Sequence, residues 1–216
     1  MSAAKRAGIL GSGDVAKVLG RGFAKHGYEV MLGTREPKKL DGWKREAGPR
    51  ASVGSFGDAA RFGDPVILAT NGAATEAAIE LAGPPTFAGK LVLDATNPLD
   101  FSHGMPPGLF LGTTDSLGER VQKRLSSAHV VKCFNTVGNV RFIDPKFAAG
   151  PVKMLICGND AAAKKRTEEI LKELGWAGAL DVGGIDGARW LEALVPLWVR
   201  AGATLNAWDH AFQVIR

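Results

Sequence analysis

The sequence predicts an α/β protein with a Rossmann-type doubly wound, mostly parallel sheet and a short C-terminal helical extension. Three observations lead to this prediction. Short apolar runs alternate with helical patterns along almost the whole chain, which is typical of parallel sheets. Several of these runs (PVILAT, KLVLDA, VKMLIC) are continuously apolar, as expected for strands covered by helices on both faces. A glycine-rich turn joins the first strand to the first helix.

The elements follow one another in regular order. We expect strands near 7–10, 28–34, 51–53, 65–70, 90–95, 129–134, 152–157 and 179–182, and helices at 14–26, 56–62, 73–82, 115–126 and 160–174. Residues 97–114 form a Pro- and Gly-rich connection, longer than the usual ~2–6 residues of an α/β loop. Loops of that length in compact domains are usually functional or disordered. The apolar residues of this one favour function.

The sequence of the tail, residues 186–216, predicts one helical segment, which Pro196 kinks or divides in two. A helix that is apolar on most sides must be covered on most sides. The tail therefore packs against the core or forms a subunit interface, and the second alternative predicts a homodimer. The apolar residues at helical spacing are Trp190, Leu194, Leu197, Ala201, Leu205, Trp208 and Phe212, with Leu191, Val195, Trp198 and Val199 widening the stripe.

Composition narrows the class of protein. The 216-residue chain has 27 Lys and Arg against 22 Asp and Glu, and these are scattered, so nucleic-acid binding gains little support. Cys133 and Cys157 lie in apolar runs, which favours buried free thiols over a disulfide. The first residues do not resemble a signal peptide, and no apolar run is long enough for a membrane helix. We therefore expect a cytoplasmic protein with no membrane partner.

The turn after the first strand has the spacing of a dinucleotide-binding motif, Gly11-Ser12-Gly13-Asp14-Val15-Ala16. Gly11 permits the tight turn, Gly13 lets the backbone approach a pyrophosphate, and Ala16 keeps the helix close to the strand. The free N–H groups at the helix N-terminus favour phosphate. Because a strand precedes the motif and a helix and second strand follow it, the sequence predicts a dinucleotide site here.

The end of the second strand predicts which dinucleotide binds. An Asp or Glu at this place would hold the adenosine ribose of NAD. Here Thr34 and Arg35 stand instead, with Lys38 and Lys39 one turn on. A hydroxyl and a guanidinium bind a 2′-phosphate that a carboxylate would repel. We therefore expect NADP(H) to be the cofactor, with Thr34, Arg35 and Lys39 in the site.

Three later strands end in amide and hydroxyl side chains. Because ligands of open α/β sheets bind outside the carboxyl ends of the strands, these residues are expected near the nicotinamide and its ribose. The alternative is turn chemistry, which also favours Asn and Thr. The strand ends read Thr70-Asn71-Gly72, Thr96-Asn97-Pro98 and Asn135-Thr136.

No dedicated catalytic or metal-binding set is visible in the sequence. No Ser/His/Asp set, CxxC pair, HExxH motif or carboxylate pair stands out at these strand ends. Only His103, in the long loop, is placed to reach a substrate, and Asp94 lies inside a strand, where a structural role is expected. An enzyme built this way needs an acceptor that takes hydride with little proton transfer.

The chain resembles the family of NADP-dependent reductases of the deazaflavin coenzyme F420. The segments that carry the resemblance are GSGDVAK, the GTR turn with its lysines, FNT, ICGND and the final apolar helices. The resemblance spans nearly the whole chain and implies a dimer and direct hydride transfer between NADP(H) and the deazaflavin. It places Pro98 and the stretch 135–139 near the nicotinamide. The family's cofactor motif matches Ser12, Gly13, Asp14, Val15, Thr34, Arg35 and Lys39.

The acceptor side departs from the family pattern. Asn71-Gly72 and Val137-Gly138-Asn139 stand where Pro-containing turns are expected, so a flavin or quinone acceptor stays open. Gly72, Thr136, Gly138 and Asn139 are the candidate substrate contacts. We expect residues 1–185 to form the NADP-binding domain and 186–216 the helical extension of the same unit. The alternatives are a pyrroline-carboxylate-reductase-like imine reductase and a non-catalytic NADP(H) redox sensor.

Overall fold

Strands and helices alternate along the chain as predicted. They are seen in a computed structural model that describes residues 4–215. The strands are β1 (Arg6–Leu10), β2 (Glu29–Gly33), β3 (Ala51–Gly54), β4 (Val66–Leu68), β5 (Leu91–Asp94), β6 (Leu99–Asp100), β7 (Gly108–Leu109), β8 (His129–Lys132), β9 (Met154–Gly158) and β10 (Ala179–Asp181). The helices are α1 (Asp14–Lys25), α2 (Asp41–Ala47), α3 (Phe56–Phe62), α4 (Gly72–Ala82), α5 (Leu117–Arg124), α6 (Ala161–Glu173) and α7 (Ala188–Leu205).

Eight strands form one sheet in the order β10-β9-β8-β5-β4-β1-β2-β3. The sheet is mostly parallel, as predicted, and the exception is the antiparallel pairing of β8 with β9. The connection between these two strands contains only a short 3₁₀ turn, Asn139–Arg141. A parallel return requires a crossover, usually a helix, so this chain segment turns back antiparallel. The strand order reverses between β1 and β4, which is where ligands bind in such sheets.

Helices cover both faces of the sheet. On one face α1, α2 and α6 pack their apolar side chains, including Phe23, Trp43 and Leu171, against the strands. On the other face α3, α4 and α5 do the same through residues such as Ala59, Ile79 and Val121. Helix α2 was not expected from the sequence; Trp43 anchors it by donating its indole N–H to the Lys17 carbonyl at 3.1 Å.

The long connection 97–114 is partly structured. It forms the two-stranded antiparallel hairpin β6–β7, with Leu99 opposite Leu109. The side chains of Phe101, Met105 and Phe110 are 52%, 65% and 43% exposed. The hairpin therefore presents apolar side chains on the surface of the subunit.

The tail is helical only in its first part, so the prediction for residues 206–215 was wrong. Helix α7 runs through Pro196 without a break and ends at Leu205, because Asn206 takes the left-handed conformation (φ 49°) that terminates helices. The chain then folds back, and the Trp198 indole N–H donates to the His210 carbonyl at 3.0 Å. Trp208 and Phe212 thus leave the predicted helical stripe.

One side of α7 is buried and the other is not. Leu191, Val195 and Val199 are buried, whereas Trp190 and Leu197 are 61% and 53% exposed. Core packing therefore explains only part of the apolar stripe, and the subunit interface stays a prediction. Cys133 and Cys157 are both buried and free, as expected. Between residues 4 and 215, none of the helices combines the length and hydropathy needed to span a membrane.

Candidate functional site

The predicted site residues lie along the carboxyl edge of the sheet. The strands β2, β1, β4, β5 and β8 are neighbours in that order, and each is followed by predicted site residues. At ~4.8 Å between neighbouring strands, the distance from Thr34 after β2 to Asn135 after β8 is roughly 19 Å. The edge is long enough for an extended dinucleotide.

The glycine turn is shaped for close approach. Gly11 has a φ of +146°, and a Cβ at this residue would lie 2.4 Å from the Ala69 carbonyl oxygen, so only glycine fits between β1 and β4. A Cβ at Gly13 would meet nothing within 4 Å, because the residue faces open space. Gly13 precedes Asp14 and Val15 in the first turn of α1, and no side chain caps that turn. The backbone N–H groups of the first turn of α1 are therefore free to bind an anion.

The residues after β2 lie in the same cleft. A cavity of about 390 Å³ is lined by Gly11, Ser12 and Gly13 together with Thr34, Arg35, Glu36 and Lys39. Thr34 is 7% exposed, and its hydroxyl oxygen accepts the Glu36 N–H at 3.3 Å. Arg35 and Lys39 are exposed, and Lys39 forms an ion pair of 2.8 Å with Glu36. Two cations therefore stand at the cleft, one of them partnered by an acid.

Apolar residues form one wall of the cavity, and sequence reasoning missed them. They are Phe56, Ala74, Ala77, Ala78 and Leu81. The four from α4 recur at the i, i+3, i+4, i+7 spacing of one helix face, which is a pattern the sequence contains. An apolar wall beside phosphate-binding groups suits an adenine ring. The free helix N-terminus, the open face at Gly13 and the two cations together fit a phosphorylated dinucleotide.

The β4 end lines the cavity, and local structure also accounts for its polar side chains. Thr70 and Asn71 both line it. Asn71 caps α4, where its side-chain oxygen accepts the Ala73 N–H at 3.0 Å. The hydroxyls of Thr70 and Thr75 lie 3.0 Å apart. The Asn71 carbonyl accepts the Ala74 N–H at 2.9 Å and the Thr75 hydroxyl at 3.2 Å. Turn and cap chemistry therefore explains Asn71 without a ligand, and its contact with the coenzyme stays a prediction.

The next two strand ends are brought together by the fold. The Asn135 side-chain N–H donates to the Asn97 side-chain oxygen at 3.4 Å. Asn135 is 5% exposed, and among residues 4–215 its Oδ1 finds no hydrogen-bond partner. An unpaired buried acceptor is costly, which is consistent with a ligand that donates to it. The preceding residue, Phe134, has a φ of 63°, an uncommon conformation for a bulky side chain that is often found at functional sites.

The candidate substrate contacts have structural explanations. A Cβ at Gly72 would lie 2.0 Å from the Asn97 carbonyl oxygen, so α4 packs directly against the segment Asn97-Pro98. A Cβ at Gly138 would lie 2.5 Å from the Trp208 carbonyl oxygen, so that glycine accommodates the tail. Thr136 is buried, and Asn139 begins a 3₁₀ turn. Their contact with a substrate stays a prediction.

Three buried charged residues lie beneath the strand ends. Lys132 Nζ is 3.0 Å from Asp94 Oδ2 and 2.7 Å from Glu192 Oε1, and it donates to the Thr96 carbonyl at 2.5 Å. Burial lowers the pKa of Lys132, but the charges of Asp94 and Glu192 outweigh that effect and leave the pKa raised. The structural role expected for Asp94 is therefore confirmed.

Ionisable groups are few along the cavity. Of the described residues that line it, only Arg35, Glu36 and Lys39 are ionisable. His103 lies in the exposed turn of the β6–β7 hairpin. This part of the cleft is suited to binding the phosphates and the adenosine of a dinucleotide.

Comparison with known proteins assigns the family. The family model for coenzyme F420-dependent NADP oxidoreductases matches residues 6–98. The solved structure of a proposed F420-dependent NADP reductase from Arthrobacter sp. FB24 is 40% identical with a TM-score of 0.93, covering 99% of this chain and 100% of that one. The chain belongs to this family. The predicted fold class and the class of enzyme, an NADP-dependent oxidoreductase, are thereby confirmed.

More distant relatives include proteins of the same name and of other names. The F420-dependent NADP reductase of Methanocaldococcus jannaschii is 29% identical over 201 residues, 88% of each protein. The metalloreductase STEAP3 of Rattus norvegicus is also 29% identical, over 90% of this chain, which spans 38% of that protein's length. A reductive aminase from Aspergillus terreus in complex with NADPH has a TM-score of 0.68 at 20% identity, so it shares the fold.

Proposed function

We propose that this oxidoreductase binds NADP(H) along the carboxyl edge of the sheet and transfers hydride directly between the nicotinamide and a flat heterocyclic acceptor. The favoured acceptor is the deazaflavin coenzyme F420. The observation that carries the proposal is the common cavity, in which the glycine turn, the buried hydroxyl of Thr34 and the cations Arg35 and Lys39 meet.

The geometry suggests an order for the parts of the coenzyme. The wall formed by Phe56 and Leu81 suits the adenine, and Arg35 with Lys39 suits the 2′-phosphate beside it. The N–H groups at Gly13 and the first turn of α1 suit the pyrophosphate. This order directs the nicotinamide along the edge towards Asn97 and Asn135, where the unpaired oxygen of Asn135 is an acceptor for a carboxamide N–H.

The residues of this chain contribute binding and alignment. NADPH supplies the hydride when bound. Holding two reactants in the correct geometry lowers the activation barrier by about 7–11 kcal/mol in favourable cases, without any acid or base. At the end of the edge where the nicotinamide is expected, the strand ends supply the amide side chains of Asn97 and Asn135, which bind and orient rather than transfer protons.

The identity of the acceptor rests on the family rather than on pairwise identity. An F420-dependent reductase and a metalloreductase are both 29% identical to this chain, so that measure does not separate them. The family model and the 40% identical structure both favour F420. Free flavins and quinones come next as small-molecule hydride acceptors, followed by imines.

A screen of acceptors tests the proposal. NADPH and NADH are each mixed with the enzyme and with F420, FMN, a quinone, a ferric chelate or a cyclic imine, and coenzyme oxidation is followed by absorbance. We expect NADPH to reduce F420 fastest. Oxidation by the imine alone would favour the imine reductase alternative. Binding of NADPH without oxidation by any member of the panel would favour the redox sensor.

We also propose that the chain forms a homodimer. Trp190 and Leu197 on α7 are exposed, as are Phe101 and Phe110 on the hairpin, and α7 packs beside β7. Exposed apolar surface of this kind is typical of subunit interfaces. A second copy of the chain is the partner that the tail was expected to bind.

A further inference from the structure

We propose that Glu36 is a specificity-determining residue, which competes with the 2′-phosphate of NADP(H) for Lys39. The inference rests on the proposed coenzyme site. Glu36 lines the same cavity as Thr34, Arg35 and Lys39, and its Oε1 lies 2.8 Å from Lys39 Nζ. Lys39, which would bind the 2′-phosphate, therefore already forms an ion pair with the Glu36 carboxylate.

Backbone contacts hold Glu36 at the cavity. Its N–H donates to the Thr34 hydroxyl at 3.3 Å, and its carbonyl accepts the Lys39 N–H at 3.1 Å. Pro37 follows at the start of the 3₁₀ turn Pro37–Leu40 and restricts the backbone there. Glu36 and Lys39 are thus held on one short turn, with their side chains paired.

The charges at this end of the cavity only partly favour a phosphate. Arg35 and Lys39 contribute two positive charges and Glu36 one negative charge, which leaves a net charge of +1. Lys39, through its hydrogen bond and its charge, lowers the pKa of Glu36, and Arg35 adds to this effect. Glu36 is therefore ionised at neutral pH and repels the phosphate that its neighbours attract.

The two coenzymes differ in what they require of this pair. The 2′-phosphate of NADPH must share Lys39 with the Glu36 carboxylate or displace it, and in either case it approaches a like charge. NADH lacks that phosphate and leaves the pair intact. Glu36 thus weakens NADPH selectively and moderates a preference that Thr34 and Arg35 create.

Substitution of Glu36 by Gln tests this role. Dissociation constants for NADPH, NADH and adenosine 2′,5′-bisphosphate are measured by titration for the wild type and for Glu36→Gln. We expect NADPH and the bisphosphate to bind about two- to fivefold more tightly to the variant, the range expected for an exposed ion pair, and NADH to bind as before. The gain should shrink at ~1 M salt, where the screening length is ~3 Å.

Glu46→Gln is the matched control. Glu46 is 71% exposed and lies 3.5 Å from Arg21, outside the coenzyme cavity. Glu46→Gln changes the net charge of the protein by the same amount as Glu36→Gln. We expect it to leave all three dissociation constants unchanged. In a Lys39→Ala background, the gain from Glu36→Gln should be smaller, since the competition for that lysine is gone.

Several results would overturn the role of Glu36. Unchanged NADPH affinity in Glu36→Gln is one, and equal tightening of NADPH and NADH is another. Weaker binding of both coenzymes would show instead that Glu36 holds the adenosine ribose. Failure of the proposed coenzyme site would give a different result. In that case Arg35→Ala would leave the affinity for NADPH unchanged, whatever the effect of Glu36→Gln.

Discussion

Lys132 Nζ lies 2.7 Å from Glu192 Oε1, and the two side chains are 0% and 2% exposed. This ion pair joins the end of β8 to helix α7. The same carboxylate accepts the N–H groups of Leu117 and Gly118 at the start of α5, at 2.9 and 3.0 Å. The C-terminal helix is thus fastened to the sheet beneath the strand ends that form the candidate site.

Removing the positive charge from this cluster should destabilise the fold. Lys132→Met leaves the carboxylates of Asp94 and Glu192 buried without their shared cation, and breaking a buried pair typically costs about 3–5 kcal/mol. Urea denaturation measures the free energy of unfolding. The control is Lys172→Met, whose lysine is 57% exposed in its pair with Glu168. An equally small loss in both variants would refute the structural role of the cluster.

The preference for NADP(H) should depend on Arg35. A charge-assisted hydrogen bond is worth about 1.5–3 kcal/mol, so Arg35→Ala should weaken NADPH roughly 10- to 100-fold. NADH affinity should hardly change, because NADH has no 2′-phosphate. Arg45→Ala, in which the arginine lines a separate surface pocket, is the control. Equal losses for NADPH and NADH would contradict the phosphate assignment.

The exposed face of α7 should mediate dimerisation. Sedimentation of the intact protein should show a dimer of 22.7 kDa chains. Leu197→Lys places a charge in that face and should shift the equilibrium to monomers without unfolding the chain. Val182→Lys changes an apolar residue that is 42% exposed in the loop after β10 and should leave the dimer intact. A wild type that stays monomeric at every concentration would refute the interface.

The sequence predicted those parts of the site that are local in the chain. The glycine turn, Thr34-Arg35 and the polar strand ends each stand within a few residues of the strand that positions them. The apolar wall was missed because the sheet order, rather than any local pattern, brings Phe56 and Leu81 to the same cavity as the glycine turn. Glu36 is visible in the sequence, but its ion pair with Lys39 depends on the 3₁₀ turn.

The remaining differences arise from long-range packing. The contact of Lys132 with Glu192 joins residues 60 positions apart, which no local pattern announces. The reversal of β9 depends on a connection that lacks a crossover helix. The end of α7 does not depend on long-range packing. Asparagine in the left-handed conformation often terminates a helix, so Asn206 was a local signal that the sequence contained.

Transfer of an isotopic label tests the central claim most directly. NADPH with both hydrogens at C4 of the nicotinamide replaced by deuterium is mixed with the enzyme and F420, and the reduced deazaflavin is analysed by mass spectrometry. Direct transfer between two aligned rings predicts that the deuterium is recovered in the reduced acceptor. Its appearance in the solvent, or NADPH that binds and is never oxidised, would contradict direct hydride transfer by this protein.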